Sequence, residues 1–406
     1  MAVDRIPPAL DTVRIPTHLS PSTLAGIDSC LLRVIGEIDP AQDRLPGGLA
    51  AMVGTFVHSV LEEVSRTKDT VSWPDGINAI MARELDRIDG KLCSDRNLVP
   101  MAPLRVAMGE HEWARRRAYI IRVSRLIGAR GSMSPHTSRD SGLDRLNLDL
   151  RRIPVGAVWS EVPLESARLR LKGRADRIQR DQKDVYSIVD FKTGSASDED
   201  GNLRESVRIQ MFCYGLILAD LLQQSVRISL KVDDGVLHEV PFDQASGERT
   251  VQSLLIRFRE LGEPGNELPA ARLATPGNVC VLCSIRHRCR TYIENAPHWW
   301  ATPPAGIEQV PMDIWGRVKS VKTGTAYETL DMVDCTGRTI RVRGLDPRHG
   351  IGTMSASDGL FFFGLKARSV PRDRMNRALP PINFYEVPDD PSGPRAWGLK
   401  CFSAPA

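Results

Sequence analysis

Between Leu171 and Gly194 the chain reads LKGRADRIQRDQKDVYSIVDFKTG. Asp176 follows one short β-type stretch, and Asp190-Phe191-Lys192 ends the next. Residues two apart on a strand face the same side, so Asp190 and Lys192 point together. A hairpin-like return brings Asp176 beside them. Adjacent carboxylates repel unless a cation neutralises them, which makes the pair a seat for Mg²⁺ or Mn²⁺. Such an ion polarises a phosphoryl oxygen and acidifies water, and Lys192 stabilises the negative charge that develops. These are the parts needed to hydrolyse a phosphodiester. Taken singly, each has an ordinary reading: Asp190 and Lys192 as a strand-end ion pair worth ~0–1 kcal/mol, Asp176 as a turn residue.

A second group is Cys280-x₂-Cys283-x₅-Cys289, where the first pair is at metal-ligand spacing. Three thiolates want a fourth ligand. Cys30 offers a fourth thiolate, and His287 offers a C-x₂-C-x₃-H alternative. Four thiolates also suit Zn²⁺. A one-plus-three arrangement closes a long loop and acts as a staple. Cys93, Cys213, Cys335 and Cys401 are isolated and read as packing thiols. Two basic stretches, Arg115 to Arg125 and Arg286, Arg288 and Arg290, are either solvated helix faces or tracks for a phosphate backbone. Arg341 and Arg343 share one strand face and offer a third. Trp299 and Trp300 read as linker anchors or stacking platforms.

The elements that must position these groups follow from periodicity. Ser20-Pro21 opens a helix, Leu49 to Arg66 carries apolar residues at helical spacing, and Leu104 to Ile127 forms a third helix. Gly128 to Asp144 reads as a loop. Short strands are expected at Trp159–Leu164, Ala167–Leu171 and Val185–Phe191. A helix from Val207 to Leu222, strands at Val226–Val232 and Leu237–Val240, and a helix from Ala245 to Leu261 complete an α/β core. Asn295 to Gly306 (NAPHWWATPPAG) reads as a linker. Beyond it the pattern is β, with a hairpin turn at Asp334-Cys335-Thr336-Gly337, a strand around Thr339–Arg343, and aromatic strands at Phe361–Phe363 and Phe384-Tyr385. The division is a helical part (1–160), a core with the cysteines (161–294), a linker (295–306) and a β-rich domain (307–406). Hydrophobic residues are 42% and charged residues 26% of the 406, which excludes wholesale disorder. The net charge of +4 permits a nucleic-acid partner without demanding one. No apolar run reaches a membrane span, the N-terminus lacks a signal-peptide core, and a cytoplasmic protein is expected. No Walker A sequence is present, so the chain is not itself an ATP-driven helicase.

In family order, four segments resemble the PD-(D/E)xK nuclease superfamily, in particular its RecB-like nucleases with an iron–sulfur cluster (the AddB-type and CRISPR-associated RecB-like exonuclease group). They are Gly54-Thr55-Phe56-Val57-His58; Glu161-Val162-Pro163-Leu164 with Gly173-Arg174-Ala175-Asp176; Asp190-Phe191-Lys192-Thr193-Gly194; and Gln210-Met211-Phe212-Cys213-Tyr214. Glu165 competes with Glu161 in the second of these. The resemblance covers about residues 18 to 292. It implies a restriction-endonuclease-like core with a mixed sheet flanked by helices. It also implies that His58, Asp176, Asp190 and the backbone carbonyl of Phe191 hold the metal, that Lys192 is catalytic, and that Gln210 and Tyr214 lie near DNA and the active site. A [4Fe–4S] cluster on Cys30, Cys280, Cys283 and Cys289 follows from the same resemblance. The function then expected is metal-dependent cleavage of DNA, single-stranded or at ends, in repair, recombination or anti-phage defence, beside a helicase or defence-complex subunit in trans. The rival is a DNA-binding or assembly subunit that keeps the fold as a scaffold. Residues 307–406 fit an OB-like domain for single strands, or a protein-docking β module.

Overall fold

The computed structural model describes residues 9–39, 42, 44–45, 47–67, 75–95, 98–128, 150, 153–223, 226–301, 312–325, 328–333, 337, 339–354, 359–367, 382–385 and 399–402. The chain opens with strand β1 (Thr12–Arg14) and two short helices, α1 (Pro21–Leu24) and α2 (Leu31–Gly36). The Ser20 side chain caps α1 by accepting the Thr23 N–H at 3.1 Å, with proline at the first helical position. Three longer helices follow: α3 (Leu49–Arg66), α4 (Asp75–Ser94) and α5 (Leu104–Gly128). Val53, Phe56, Val57, Val60 and Val64 form the apolar stripe of α3. They close a core with Ile77, Ile80 and Met81 of α4 and with Tyr119, Ile120 and Val123 of α5. The α4 helix has no counterpart among the expected elements. The helix expected at 104–127 is broken at Gly109, whose φ of 76° lies in the left-handed region open to glycine.

The second half is a mixed sheet. Its strands are β2 (Val158–Ser166), β3 (Leu171–Arg180), β4 (Val185–Phe191), β5 (Arg227–Asp233) and β6 (Leu237–Val240), paired in that order. All pairings are antiparallel except β4 with β5. A parallel pair needs a crossover, which is supplied by α6 (Glu205–Leu222). That helix is buried almost all round, between the sheet and α7 (Gln244–Glu260). The strand expected at Ala167–Leu171 is instead the turn joining β2 to β3, with Arg170 at φ 55°. The apolar residues there, Leu169 and Leu171, are buried without belonging to a separate strand.

After β7 (Glu267–Pro269), which pairs with β1, and α8 (Ala270–Leu273), the cysteine segment leads into α9 (Arg290–Ala301). The expected linker therefore begins as helix: Pro297 lies within α9, and 302–306 lie outside the described residues. Strands β8 (Met312–Lys322), β9 (Glu328–Val333), β10 (Thr339–Leu345), β11 (Gly359–Ala367), β12 (Ile382–Tyr385) and β13 (Leu399–Phe402) form one sheet. β12 runs parallel to β10 and antiparallel to β11, so β8-β9-β10-β12-β11 closes on itself, and β13 adds to β11. Leu330, Met332, Val342, Leu360 and Phe362 fill the ring. The turn expected at Asp334–Thr336 and most of the loop expected at 128–144 lie outside the described residues, as do the side chains of Trp299, Trp300 and Phe363. Among the described residues, no helix is long and apolar enough to cross a membrane.

Candidate active site

Register decides which carboxylates meet. Arg177 pairs with Val189 across β3 and β4, and the next antiparallel step sets Asp176 opposite Asp190. On the other side of β3, Ser160 pairs with Arg177 and Val162 with Ala175, which sets Glu161 opposite Asp176. Three acids thus lie in a row across three neighbouring strands. Glu161 adopts φ 54°, a left-handed conformation uncommon for a residue with a side chain. One oxygen or nitrogen from each of Glu161, Asp176 and His58 lies within 4.8 Å of the others. His58 reaches the row from α3, its Nδ1 being 3.9 Å from Asp176 Oδ1.

The second oxygen of Asp176 accepts the Phe191 N–H at 2.6 Å. The N–H and C=O of one strand residue face the same neighbour, so the Phe191 carbonyl is turned to this side as well. Its ring goes elsewhere, into the α3–α5 core. Lys192 Nζ stands 2.9 Å from Asp190 Oδ2 and donates to Gln210 Oε1 at 2.7 Å. The Gln210 amide in turn donates to Asp190 Oδ1 at 3.0 Å, which closes a three-membered ring of contacts. Tyr214, one helical turn on, donates its hydroxyl to the Arg174 carbonyl at 2.8 Å and so holds β3 two residues before Asp176. That approach needs Gly173, where a Cβ would lie 2.8 Å from Pro21 and 3.1 Å from the Tyr214 ring. Gln210 and Tyr214 are buried, not a solvated surface pair.

Burial, and then the facing Asp190 carboxylate, push Asp176 well above the ordinary carboxylate range. Loss of solvent around the His58 ring lowers its pKa, leaving a neutral imidazole able to ligate. Hard carboxylate oxygens, a strand carbonyl and a neutral imidazole, crowded so that like charges oppose each other, fit a divalent cation. Sequence reasoning leaves Glu161 and Glu165 as competitors. In the fold, Glu165 lies beside Lys172 at 3.3 Å and His18 at 3.6 Å. The distinguishing signal is the cross-strand register with Asp176, which is not readable from composition.

Cys30, Cys280, Cys283 and Cys289 line one cavity with Arg286 and Tyr292. Cys30 stands at the start of α2, and the other three come from tight turns between α8 and α9. Burial pushes Cys283 up to about 12 and raises Cys280 and Cys289, so these thiols stay protonated at neutral pH unless positive charge lies among them. Backbone N–H groups oppose this trend, among them that of Gly277, 3.4 Å from Cys280 Sγ. His287 is fully buried and faces the Phe361 ring, with centroids 5.9 Å apart, and it does not line the cavity.

The arginines expected to track phosphate divide into two kinds. Arg286 is buried in an ion pair with Asp313 of β8, at 2.5 and 3.2 Å, and Tyr292 donates to the same carboxylate at 2.7 Å. Arg116 is buried and bound to Glu112 at 2.6 Å. Neither presents its charge to a surface strand, because each guanidinium is itself buried against a carboxylate. Arg288 donates to Gln42 at 3.0 Å, and Arg341 is held by Asp331 at 2.6 and 2.8 Å. Arg115 is exposed beside Glu112, and Arg290 and Arg343 are exposed. Phe361 and Phe362 do not offer stacking surfaces: Phe362 is inside the barrel, and Phe361 stacks on Trp315 at 5.5 Å against Cys280, Tyr292 and Ile293. The barrel is thereby seated on the cysteine segment.

No curated protein matches the chain. Residues 18–290 match the family model of the PD-(D/E)XK nuclease superfamily, a span from just before α1 to the last of the four cysteines. The acids on β3 and β4, the lysine two residues beyond and the mixed sheet that carries them all fall within it, and the chain belongs to the PD-(D/E)XK nuclease superfamily.

Proposed function

We propose that the protein is a metal-dependent deoxyribonuclease of the RecB-like, iron–sulfur type that hydrolyses phosphodiesters in single-stranded DNA or at DNA ends. The observation that carries this reading is the row of Glu161, Asp176 and Asp190 across adjoining strands with Lys192 2.9 Å from Asp190. His58, Glu161, Asp176, Asp190 and the Phe191 carbonyl would hold Mg²⁺ or Mn²⁺. A divalent cation supplies Lewis acidity to a phosphoryl oxygen and to water. Lys192, oriented by Gln210 and by Asp190, offers a fixed ammonium to the charge that grows on the phosphoryl group. Tyr214 positions β3 through the Arg174 carbonyl.

The four cysteines that line one cavity form an all-thiolate donor set of the kind that holds an iron–sulfur cluster. A [4Fe–4S] cluster held by Cys30, Cys280, Cys283 and Cys289 would staple the two ends of the nuclease unit. The closed five-strand ring, with its Greek-key order and one parallel contact, supports an OB-like C-terminal domain.

End-labelled single- and double-stranded DNA incubated with Mn²⁺ tests the reading. Wild type should cut, EDTA should stop it, and Asp190→Ala and Lys192→Ala should each abolish cutting while the far-UV spectrum is kept. A wild-type protein that binds DNA without cutting it under Mn²⁺ would make the fold a scaffold. A brown protein with absorbance near ~400 nm supports the cluster, and a colourless zinc protein refutes it.

A further inference from the structure

The side of α5 at the margin of its core, where Ile121 and Trp113 still touch that core, carries an unusual residue set. Ala114, Arg117, Ala118, Ile121, Arg122 and Arg125 recur at helical spacing and line one groove of about 800 Å³. Its lining combines two alanines, Ile121 and Trp113 with the arginines. Arg105, which also lines the groove, lies over the Trp113 ring, 5.3 Å from its centroid, across the kink at Gly109. Among the lining residues, four arginines (105, 117, 122 and 125) stand with a single acid, Glu110, and Arg122 reaches a second acid, Asp233, beyond the groove. Arg117 is held by a neutral group, the Asn78 side-chain oxygen at 3.1 and 3.2 Å, so that contact leaves its charge intact.

Arg122 ties the groove to the strand pair that carries Asp190 and Lys192. Arg122 grips Asp233 at 2.6 and 3.1 Å, and Asp233 is the register partner of Phe191. The Asp233 carbonyl accepts the Lys192 N–H at 2.9 Å and the Tyr119 hydroxyl at 3.1 Å. The Arg122 contact is thus one residue along the register from the lysine of the site. From Arg117 to Arg125 is about 12 Å of helix, enough to follow several phosphates.

We infer that this groove is the docking track for a single nucleic-acid strand, with Arg117 and Arg125 on its phosphates and the apolar lining against its bases. A duplex keeps its base faces stacked inside and has no use for an apolar lining of Ala114, Ala118 and Ile121; an unpaired strand does. The inference rests on the nuclease reading, yet binding can be measured without cleavage.

The test uses the full chain in EDTA, with a fluorescent oligothymidylate and a duplex of equal length, read by anisotropy over a salt series. The double variant Arg117→Gln/Arg125→Gln should bind the oligothymidylate at least tenfold more weakly. Its log K against log[salt] slope should be shallower by about 1.4, the loss of two phosphate contacts at roughly 0.7 each. Ala118→Trp, which fills the groove and removes no charge, should weaken binding too, with the slope kept. Arg249→Gln, an exposed charge on α7, which packs on α6, should leave affinity near wild type. Groove variants that bind like wild type, or a duplex bound as tightly as the strand, would overturn the inference. If the wild type fails to cut DNA in Mn²⁺ but these binding differences appear, the nuclease reading falls and the groove stands. If the wild type cuts and the variants bind unchanged, the nuclease reading stands and the groove falls.

Discussion

The ion pair between Arg286 and Asp313 joins the cysteine segment to the β-barrel, and its burial makes the consequence of breaking it calculable. The arginine side chain is 8% exposed and the aspartate 0%, with two nitrogen–oxygen contacts and the Tyr292 hydroxyl on the same carboxylate. A paired buried charge roughly offsets its own desolvation, whereas a charge left alone does not. Asp313→Leu takes the carboxylate from Arg286 beside the four cysteines, and Arg286→Met takes the guanidinium from Asp313, which keeps the Tyr292 hydroxyl. Each should cost about 3–5 kcal/mol. The double variant leaves no buried charge and replaces the pair with apolar volume against Trp315 and Phe361, so it should cost about 1 kcal/mol or less. Urea unfolding at equilibrium, followed by tryptophan fluorescence, measures all three. Single variants within about 1 kcal/mol of wild type, or a double variant as costly as the sum of the singles, would mean that the two charges do not depend on each other for burial.

Three further outcomes follow from the geometry. Glu161→Gln should lower cleavage at least a hundredfold, whereas Glu165→Gln, which loses only contacts to Lys172 and His18, should stay within about threefold in the same gel assay. Without metal, the native state holds a proton on Asp176 that the unfolded chain releases near pH ~3.9, so stability should fall as pH rises above that value. Asp176→Asn should flatten the curve and raise the metal-free Tm; an unchanged pH profile in a calorimetric series would contradict the assigned crowding. Gly173→Ala drives a methyl to 2.8 Å from Pro21 and should cost about 1–3 kcal/mol in urea unfolding, with cleavage reduced through the displaced Tyr214 and Asp176.

The types of the reacting groups are legible without a structure. Asp190 and Lys192 sit two apart on a run of β-type residues, and period-two geometry makes them neighbours in any fold that keeps the strand. The apolar stripe of α3 is equally plain, because a 3.6-residue repeat over Leu49–Arg66 has one helical solution. Helix α4 escapes the same pattern, since its charged residues dilute the stripe carried by Ile77, Ile80, Met81 and Ile88. The turn at 167–170 passes for a strand, since buried apolar residues in a turn look locally like one.

Pairing, by contrast, belongs to the folded chain. A run of acids carries no register, so Glu161 and Glu165 remain equivalent until β2 is laid against β3 and one of them falls opposite Asp176. Basic residues carry no partner label, so Arg116 and Arg286 resemble Arg117 and Arg125 until folding buries the first two against a carboxylate and sets the other two along a groove. Local order along the chain is set by dihedral periodicity and is therefore written in one dimension. Charge neutralisation and desolvation depend on neighbours distant in sequence, and only the folded chain brings those neighbours within a few ångströms.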